Sequence, residues 1–127
     1  MAERWNWFDR FEFVCRCGCN TNEIRDDFID KLDQLRETLG FRLRITSGYR
    51  CPDHNARISS TGRSGPHTTG RAADIAVDRE RAFQLVAWAA DCGFTGIGLK
   101  QKGEGRFVHL DDLSHAPGRP RPTIWTY

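Results

Sequence analysis

Ile24, Phe28, Leu32, Leu35 and Leu39 recur at helical spacing and stop at Gly40, so the pattern predicts one amphipathic helix. Asn20-Thr21-Asn22-Glu23 ahead of it places an acid three residues after a capping side chain, the signature of a helix start, and Gly40 suits its end. A second helix is expected after Asp78, which can cap it, with Ala82, Phe83, Val86, Ala87 and Ala90 as a packing stripe that ends at Cys92-Gly93. Elsewhere the period is two: Leu43 and Ile45; Ala73, Ile75 and Val77; Ile97 and Leu99; Val108 and Leu110. Two helices and about four short strands, joined by connections too short for regular crossover helices, predict an α+β fold with a small, mostly antiparallel sheet packed against helices. No repeat, low-complexity stretch or linker divides the chain, and residues 1–127 read as one domain.

The same alternation defines a second face. With Ala73, Ile75 and Val77 turned to the core, Asp74 falls on the opposite side between the small residues Ala72 and Ala76. With Val108 and Leu110 inward, Phe107, His109 and Asp111 share that side. The loop Ser64-Gly65-Pro66-His67-Thr68-Thr69-Gly70 adds His67, with glycines that permit a tight fold. His67, Asp74 and His109 could therefore converge on one ion. Two histidines and a carboxylate are a sensible catalytic zinc set, because three protein ligands leave a position open for water; the set also fits non-haem iron.

Composition narrows the partners. The 19 basic and 17 acidic side chains leave a net charge of +2 and the basic residues are scattered, which argues against nucleic-acid binding. No stretch reaches the roughly 18 apolar residues of a membrane span, and Met1 to Arg10 is aromatic and charged where an export signal would be apolar, so no signal peptide and no membrane insertion are expected. The 5 cysteines are odd in number, so at least one thiol stays free in a monomer, which is the expected state. Cys15, Cys17 and Cys19 project from one face if their segment is extended, a cluster that could hold a metal. Their spacing is tighter than a zinc knuckle and no second pair follows; the alternative is small buried residues with one bridge to Cys51 or Cys92.

Taken together, Ser47-Gly48-Tyr49-Arg50, Asn55, the series Ser64, His67, Gly70, Ala72, Asp74 and Ile75, and Phe107-Val108-His109-Leu110-Asp111 resemble the zinc D-alanyl-D-alanine carboxypeptidase family. That family also includes vancomycin-resistance dipeptidases, phage endolysin peptidases and, in fold, the hedgehog signalling domain. The likeness runs in order from Phe13 to Trp125. It implies a hedgehog/DD-peptidase-like fold, Zn2+ held by His67, Asp74 and His109, and Arg50 and Ser64 on the substrate, with Arg50 binding its carboxylate or polarising the scissile carbonyl. Tyr49 and Asn55 are expected to shape the loop. Many relatives carry an acidic general base three residues before the last zinc histidine, where this chain has Arg106, which cannot accept a proton. Asp111 is the favoured substitute, with an orienting role toward His109 as its alternative. Glu104 is a second candidate base, and His115, Trp125 and Tyr127 are candidate substrate contacts.

The function so implied is hydrolysis of a peptide bond in bacterial peptidoglycan stem peptides, of the D,D-carboxypeptidase or L-Ala-D-Glu endopeptidase type. A phage lysis or virion-associated enzyme would reach the cell wall from its synthesis in the cytoplasm through a pore or an injection apparatus; a cytoplasmic dipeptidase also fits. The competing classes are a non-catalytic zinc-containing binding module of the same fold and, less compatible with the balanced charge, a nucleic-acid-binding zinc domain on the cysteines.

Overall fold

The computed structural model describes residues 4–127; the first three residues of the N-terminus weighed above as a non-signal segment lie outside the described residues. Three helices, α1 (Asp26–Leu39), α2 (Pro52–Ile58) and α3 (Arg79–Ala89), accompany five strands: β1 (Arg44–Ser47), β2 (Ala72–Ala76), β3 (Gly96–Lys100), β4 (Phe107–Asp111) and β5 (Thr123–Thr126). The sheet order is β1-β2-β4-β3-β5, antiparallel throughout except for the parallel β3–β5 pair. The α+β architecture anticipated from the hydrophobic periods is the observed one.

Pairing register explains why one face is core and the other carries polar chemistry. Ile45, Ile75, Val108 and Leu99 are successive cross-strand partners, as are Ala73, Leu110 and Ile97. Most of these apolar rows are buried and join Phe28, Ile29, Leu32 and Leu35 of α1 and Ala82, Leu85 and Ala89 of α3 in one core. The neighbouring row on the other face is Ser47, Asp74, His109, Gly98 and Trp125, one residue from each strand.

Helix α1 starts later than its sequence pattern suggests. Asn22 accepts from the Ile24 amide at 3.2 Å in a local turn, and the Arg25 amide donates to Gly70 O at 2.8 Å, which holds Arg25 extended until Asp26. Ile24 is buried all the same, so the stripe reflects burial running ahead of the helix. Gly40 closes the helix in the left-handed conformation, φ 76°. In α3, Phe83, Ala87 and Ala90 leave the expected stripe and are exposed, Phe83 at 77%, because Ala82, Leu85 and Ala89 fill the inward side. Asp78 occupies the cap position without bonding to the helix amides, pairing instead with Arg79. Two elements have no counterpart in the hydrophobic pattern. The seven-residue α2 carries little apolar periodicity, its one local signal being Pro52 at the first helical position. The four-residue edge strand β5 is too short to show alternation.

A polar pin ties α1 to the sheet. Arg71, just before β2, donates to both oxygens of Asp112 at 2.9 Å and both of Asp27 at 3.1 and 2.7 Å, and Lys31 reaches Asp112 at 2.8 Å. The Asp112 side chain is fully buried, so its charge depends on these partners. Arg71→Met is expected to lower unfolding free energy by about 2 kcal/mol in denaturant titration, Lys31 compensating only part of the buried carboxylate. A change below about 0.5 kcal/mol, the size of an ordinary surface pair, would show that the pin is not structural.

Candidate active site

His67 lies on a 3-10 turn, Pro66–Thr69, whose end at Gly70 is left-handed with φ 77°. A side chain at Gly70 would strike the Glu23 carbonyl, so this turn requires glycine on both counts. The turn brings the His67 ring beside β2, where Nδ1 lies 2.7 Å from Gly48 O and Nε2 lies 3.2 Å from Asp74 Oδ1. His109, directly across from Asp74 in the β2–β4 ladder, puts Nδ1 3.1 Å from the same Asp74 oxygen and Nε2 2.8 Å from Asp111 Oδ2. His67, Asp74 and His109 are all buried, and one ligand atom from each lies within 4.8 Å of the others.

The hydrogen-bond roles in this triad are constrained. A carbonyl oxygen only accepts, so His67 Nδ1 carries a proton and donates to Gly48 O. Burial pushes the His67 pKa down, leaving a neutral ring whose Nε2 lone pair points at a carboxylate oxygen. Burial also works against a charge on His109, but the hydrogen bonds to Asp111 and Asp74 outweigh it and raise the pKa. For Asp74, burial acts to raise the pKa while the hydrogen bond from His109 prevails and holds it well below the ordinary carboxylate range. One anionic oxygen thus faces two ring nitrogens, and a cation at their meeting point would satisfy all three. The separations of 3.1 and 3.2 Å fit one tetrahedral sphere, since bonds of about 2.0 Å put neighbouring ligand atoms about 3.3 Å apart. The donor set therefore fits zinc.

Around these residues lies a groove of about 790 Å³, lined by Arg50, Ser64, Phe107, Arg119, Trp125 and Tyr127 among others. Arg50 is fixed on three sides: Nε donates to Ser47 Oγ at 2.9 Å, one terminal nitrogen to Asn55 Oδ1 at 3.1 Å and the other to Asp74 Oδ2 at 3.3 Å. Asn55 is fully buried and anchored in turn to Thr61 and Gly62, so it shapes the loop by holding Arg50. Tyr49 faces away from the groove, buried with its hydroxyl donating to Glu23. Ser64 is exposed on the groove wall.

Asp111 does not open onto the groove. It is fully buried, and it accepts from His109 through Oδ2 and from Arg121 through both oxygens at 2.9 and 2.8 Å. Burial acts to raise its pKa, but these donors bring it down to about 2, so its affinity for a proton is weak. Glu104 and Arg106 line a separate pocket with Asp78 and Arg79, and Arg106 folds back onto the Gly103 carbonyl. His115 accepts from the Arg121 amide. Trp125 and Tyr127 do line the groove, and Trp125 lies in the tail segment that is folded onto the sheet as β5.

Arg121, Gly96 and Gly98 are absent from the sequence-based set. A side chain at Gly96 would collide with the Asp111 carboxylate, and one at Gly98 would come within 2.6 Å of the Trp125 indole. The two glycines of Gly96-Ile97-Gly98 thus make room for the groups behind and beside His109, whose ring lies 5.1 Å from that of Trp125. An alternation of glycine with an apolar residue is the one signal that could have marked them. Arg121, in Arg119-Pro120-Arg121-Pro122, reads as an ordinary loop cation.

A family model described as Peptidase M15 matches residues 6–111, most of the chain and all three candidate ligands. The chain belongs to the peptidase M15 family. M15 members are zinc peptidases, and the triad above is the M15 chain's candidate metal centre. The matched segment contains Arg50 and Asp111 but ends before Arg121 and Trp125, so the wall formed by the segment after β4 lies outside the likeness. Neither the curated proteins nor the solved structures contain a significant match to this M15 chain.

If Gly96 is there to admit Asp111, Gly96→Ala should lower unfolding free energy by about 2 kcal/mol, the usual cost of overpacking, and weaken zinc retention in a chelator competition. Unchanged zinc retention in a folded variant would mean that Asp111 can be displaced without affecting His109.

Proposed function

We propose that this M15 peptidase hydrolyses a peptide bond in the stem peptides of bacterial peptidoglycan, acting as a monomer on short, D-residue-containing chains. The observation that carries the reading is the pair of ring nitrogens aimed at one Asp74 oxygen at 3.1 and 3.2 Å, beside the fixed guanidinium of Arg50. His67 Nε2, Asp74 Oδ1 and His109 Nδ1 would hold zinc. Zinc bound there supplies Lewis acidity, which makes water a competent nucleophile near neutral pH and polarises the scissile carbonyl.

The chain's own groups do the rest. The Gly48 carbonyl fixes the His67 tautomer, and Asp111, locked by Arg121, fixes that of His109 so that Nδ1 faces Asp74. In this reading Asp111 is a positioning residue rather than the general base. Arg50, already oriented by Ser47, Asn55 and Asp74, meets either the negative charge developing on the carbonyl oxygen or a terminal carboxylate of the stem peptide. The groove's volume suits a few residues of extended peptide, and Phe107, Trp125 and Tyr127 offer apolar surface along it. A phage lysis or virion-associated role, in which another component brings the enzyme to the wall, belongs to the same proposal.

One observation favours the second reading, a non-catalytic zinc-containing module. Among the described residues Asp74 is the sole acidic side chain lining the groove, and both its oxygens are engaged. Zinc-loaded protein and its His109→Ala form, offered purified sacculi, D-Ala-D-Ala dipeptide and casein, separate the readings. The proposal expects wall solubilisation by the first form alone, intact casein, and a single cleaved bond identified by muropeptide mass spectrometry. Zinc-replete protein that leaves sacculi intact supports the binding module, preferential dipeptide hydrolysis makes it a dipeptidase, and casein cleavage overturns wall specificity.

Two substitutions test the roles. Asp111→Asn is expected to weaken zinc binding by about 10- to 100-fold, as loss of a ligand's orienting partner does; full zinc affinity with collapsed kcat would instead make Asp111 the base. Arg50→Ala is expected to lower kcat by about a hundredfold with zinc content unchanged, whereas a rise in KM alone would restrict Arg50 to carboxylate binding.

A further inference from the structure

The groove leaves unused a second cluster of metal-ligating side chains. Cys15, Cys17 and Cys19 come from one short loop and Cys51 from the residue before α2, yet one sulfur from each lies within 4.8 Å of the others. We propose that Cys15, Cys17, Cys19 and Cys51 bind a second zinc ion as a closed tetrathiolate site whose role is structural.

The sulfur spacing discriminates between a metal cage and disulfides. Cys15 Sγ to Cys17 Sγ is 3.5 Å and Cys17 Sγ to Cys51 Sγ is 3.7 Å. Zinc–sulfur bonds of about 2.3 Å in a tetrahedron place the sulfurs about 3.8 Å apart, whereas a disulfide brings two of them to about 2.05 Å. All four thiols are free. The backbone is arranged for the purpose: Gly18, with φ 90°, and Asn20, with φ 61°, are both left-handed and curl the chain on either side of Cys19. The Cys51 amide donates to Cys15 Sγ at 3.3 Å and the His54 amide to Cys51 Sγ at 3.4 Å. Such donors suit thiolates, which accept hydrogen bonds better than thiols and are the form that binds metal. Four soft thiolates in a tetrahedron select zinc over hard cations, and four protein ligands leave no position for water or substrate. The tight Cys-x-Cys-x-Cys spacing is no obstacle, because the fourth ligand arrives from a distant turn.

The site would clamp the N-terminal segment onto the turn that equips the groove. Cys51 follows Arg50 directly, the Tyr49 amide donates to Phe13 O at 2.9 Å, and a side chain at Gly48 would meet Phe13 at 2.6 Å. Gly48 O is in turn the acceptor that orients His67. An ion on the cysteines would therefore stabilise the backbone from which both Arg50 and the His67 carbonyl partner are presented.

Metal and thiol counting on the full chain, purified under reductant, tests this independently of catalysis. The expected result is two zinc ions per wild-type chain and one in His67→Ala. Cys15, Cys17, Cys19 and Cys51 should resist iodoacetamide in both until a strong chelator is added. Cys19→Ser, at an exposed ligand, should stay folded by circular dichroism, lose one zinc and open the remaining cluster thiols to alkylation. Cobalt substituted into His67→Ala should show thiolate-to-metal charge-transfer absorption. One zinc in the wild type with freely alkylated thiols overturns the proposal, as do iron in the cluster or a disulfide-linked Cys51 with no second metal. Loss of the groove zinc alone would count against the peptidase reading and leave this site untouched.

Discussion

The pairing of Asp74 with His109 across β2 and β4 is the constraint on which the site depends. A slip of one residue in that register would turn one of the two side chains into the core and bring Ile75 or Val108 out to the groove. The register is held by the apolar rows on the other face, because a slip would take Ile75, or Val108 and Leu110, out of the core they share with α1 and α3. Packing on one side of the sheet thus sets the geometry of a polar centre on the other. The same rung continues through Gly98 to Trp125, so the edge strand that carries the groove's aromatic wall is aligned by the same pairing.

Such a centre is costly to bury, and its charges are arranged to compensate one another. Asp74 meets His67, His109 and Arg50, while Asp111 meets His109 and Arg121. Among the described residues, every buried side-chain nitrogen or oxygen has a polar neighbour at hydrogen-bond distance. Holding His67 and His109 by their outer nitrogens leaves the inner ones converged on Asp74 before any ion arrives, which lowers the ordering cost of binding one. Arg50 is held in the same manner, so the group that would meet developing negative charge is already oriented. The glycines of β3 are the steric counterpart of this economy, since a side chain at Gly96 or Gly98 would occupy the space of Asp111 or Trp125.

The groove and the cysteine cluster meet at the segment Gly48 to Cys51. Its carbonyl at Gly48 orients His67, its Arg50 enters the groove and its Cys51 faces the other thiols. A tetrathiolate there would add to a core that a chain of 127 residues can build only to modest size. The two ligand sets differ in kind as their tasks would require: two nitrogens and an oxygen beside an open groove, against four sulfurs that exclude any further ligand.

Much of this was legible in one dimension because it rests on local period. Alternation of two along Ala72–Ala76 and Phe107–Asp111 separates Asp74 and His109 from the core residues, and a period near 3.6 marks both long helices. The polar residues left over, with the glycine-bounded turn of His67, are sufficient to suggest the metal set, while the family, which the match over residues 6–111 supports, rests on the resemblance carried by the motifs around Arg50, His67, Asp74 and His109. What the chain order does not encode is which distant groups close around those residues. Arg121 reaching Asp111, Cys51 joining the Cys15–Cys19 loop, and β5 lying parallel to β3 each depend on a long-range approach with no periodic signature. The role of Asp111 depends on that difference: strand alternation identifies the face it shares with His109, but only the folded chain puts Arg121 behind it and makes it a buried partner of a ligand rather than a carboxylate open to the groove.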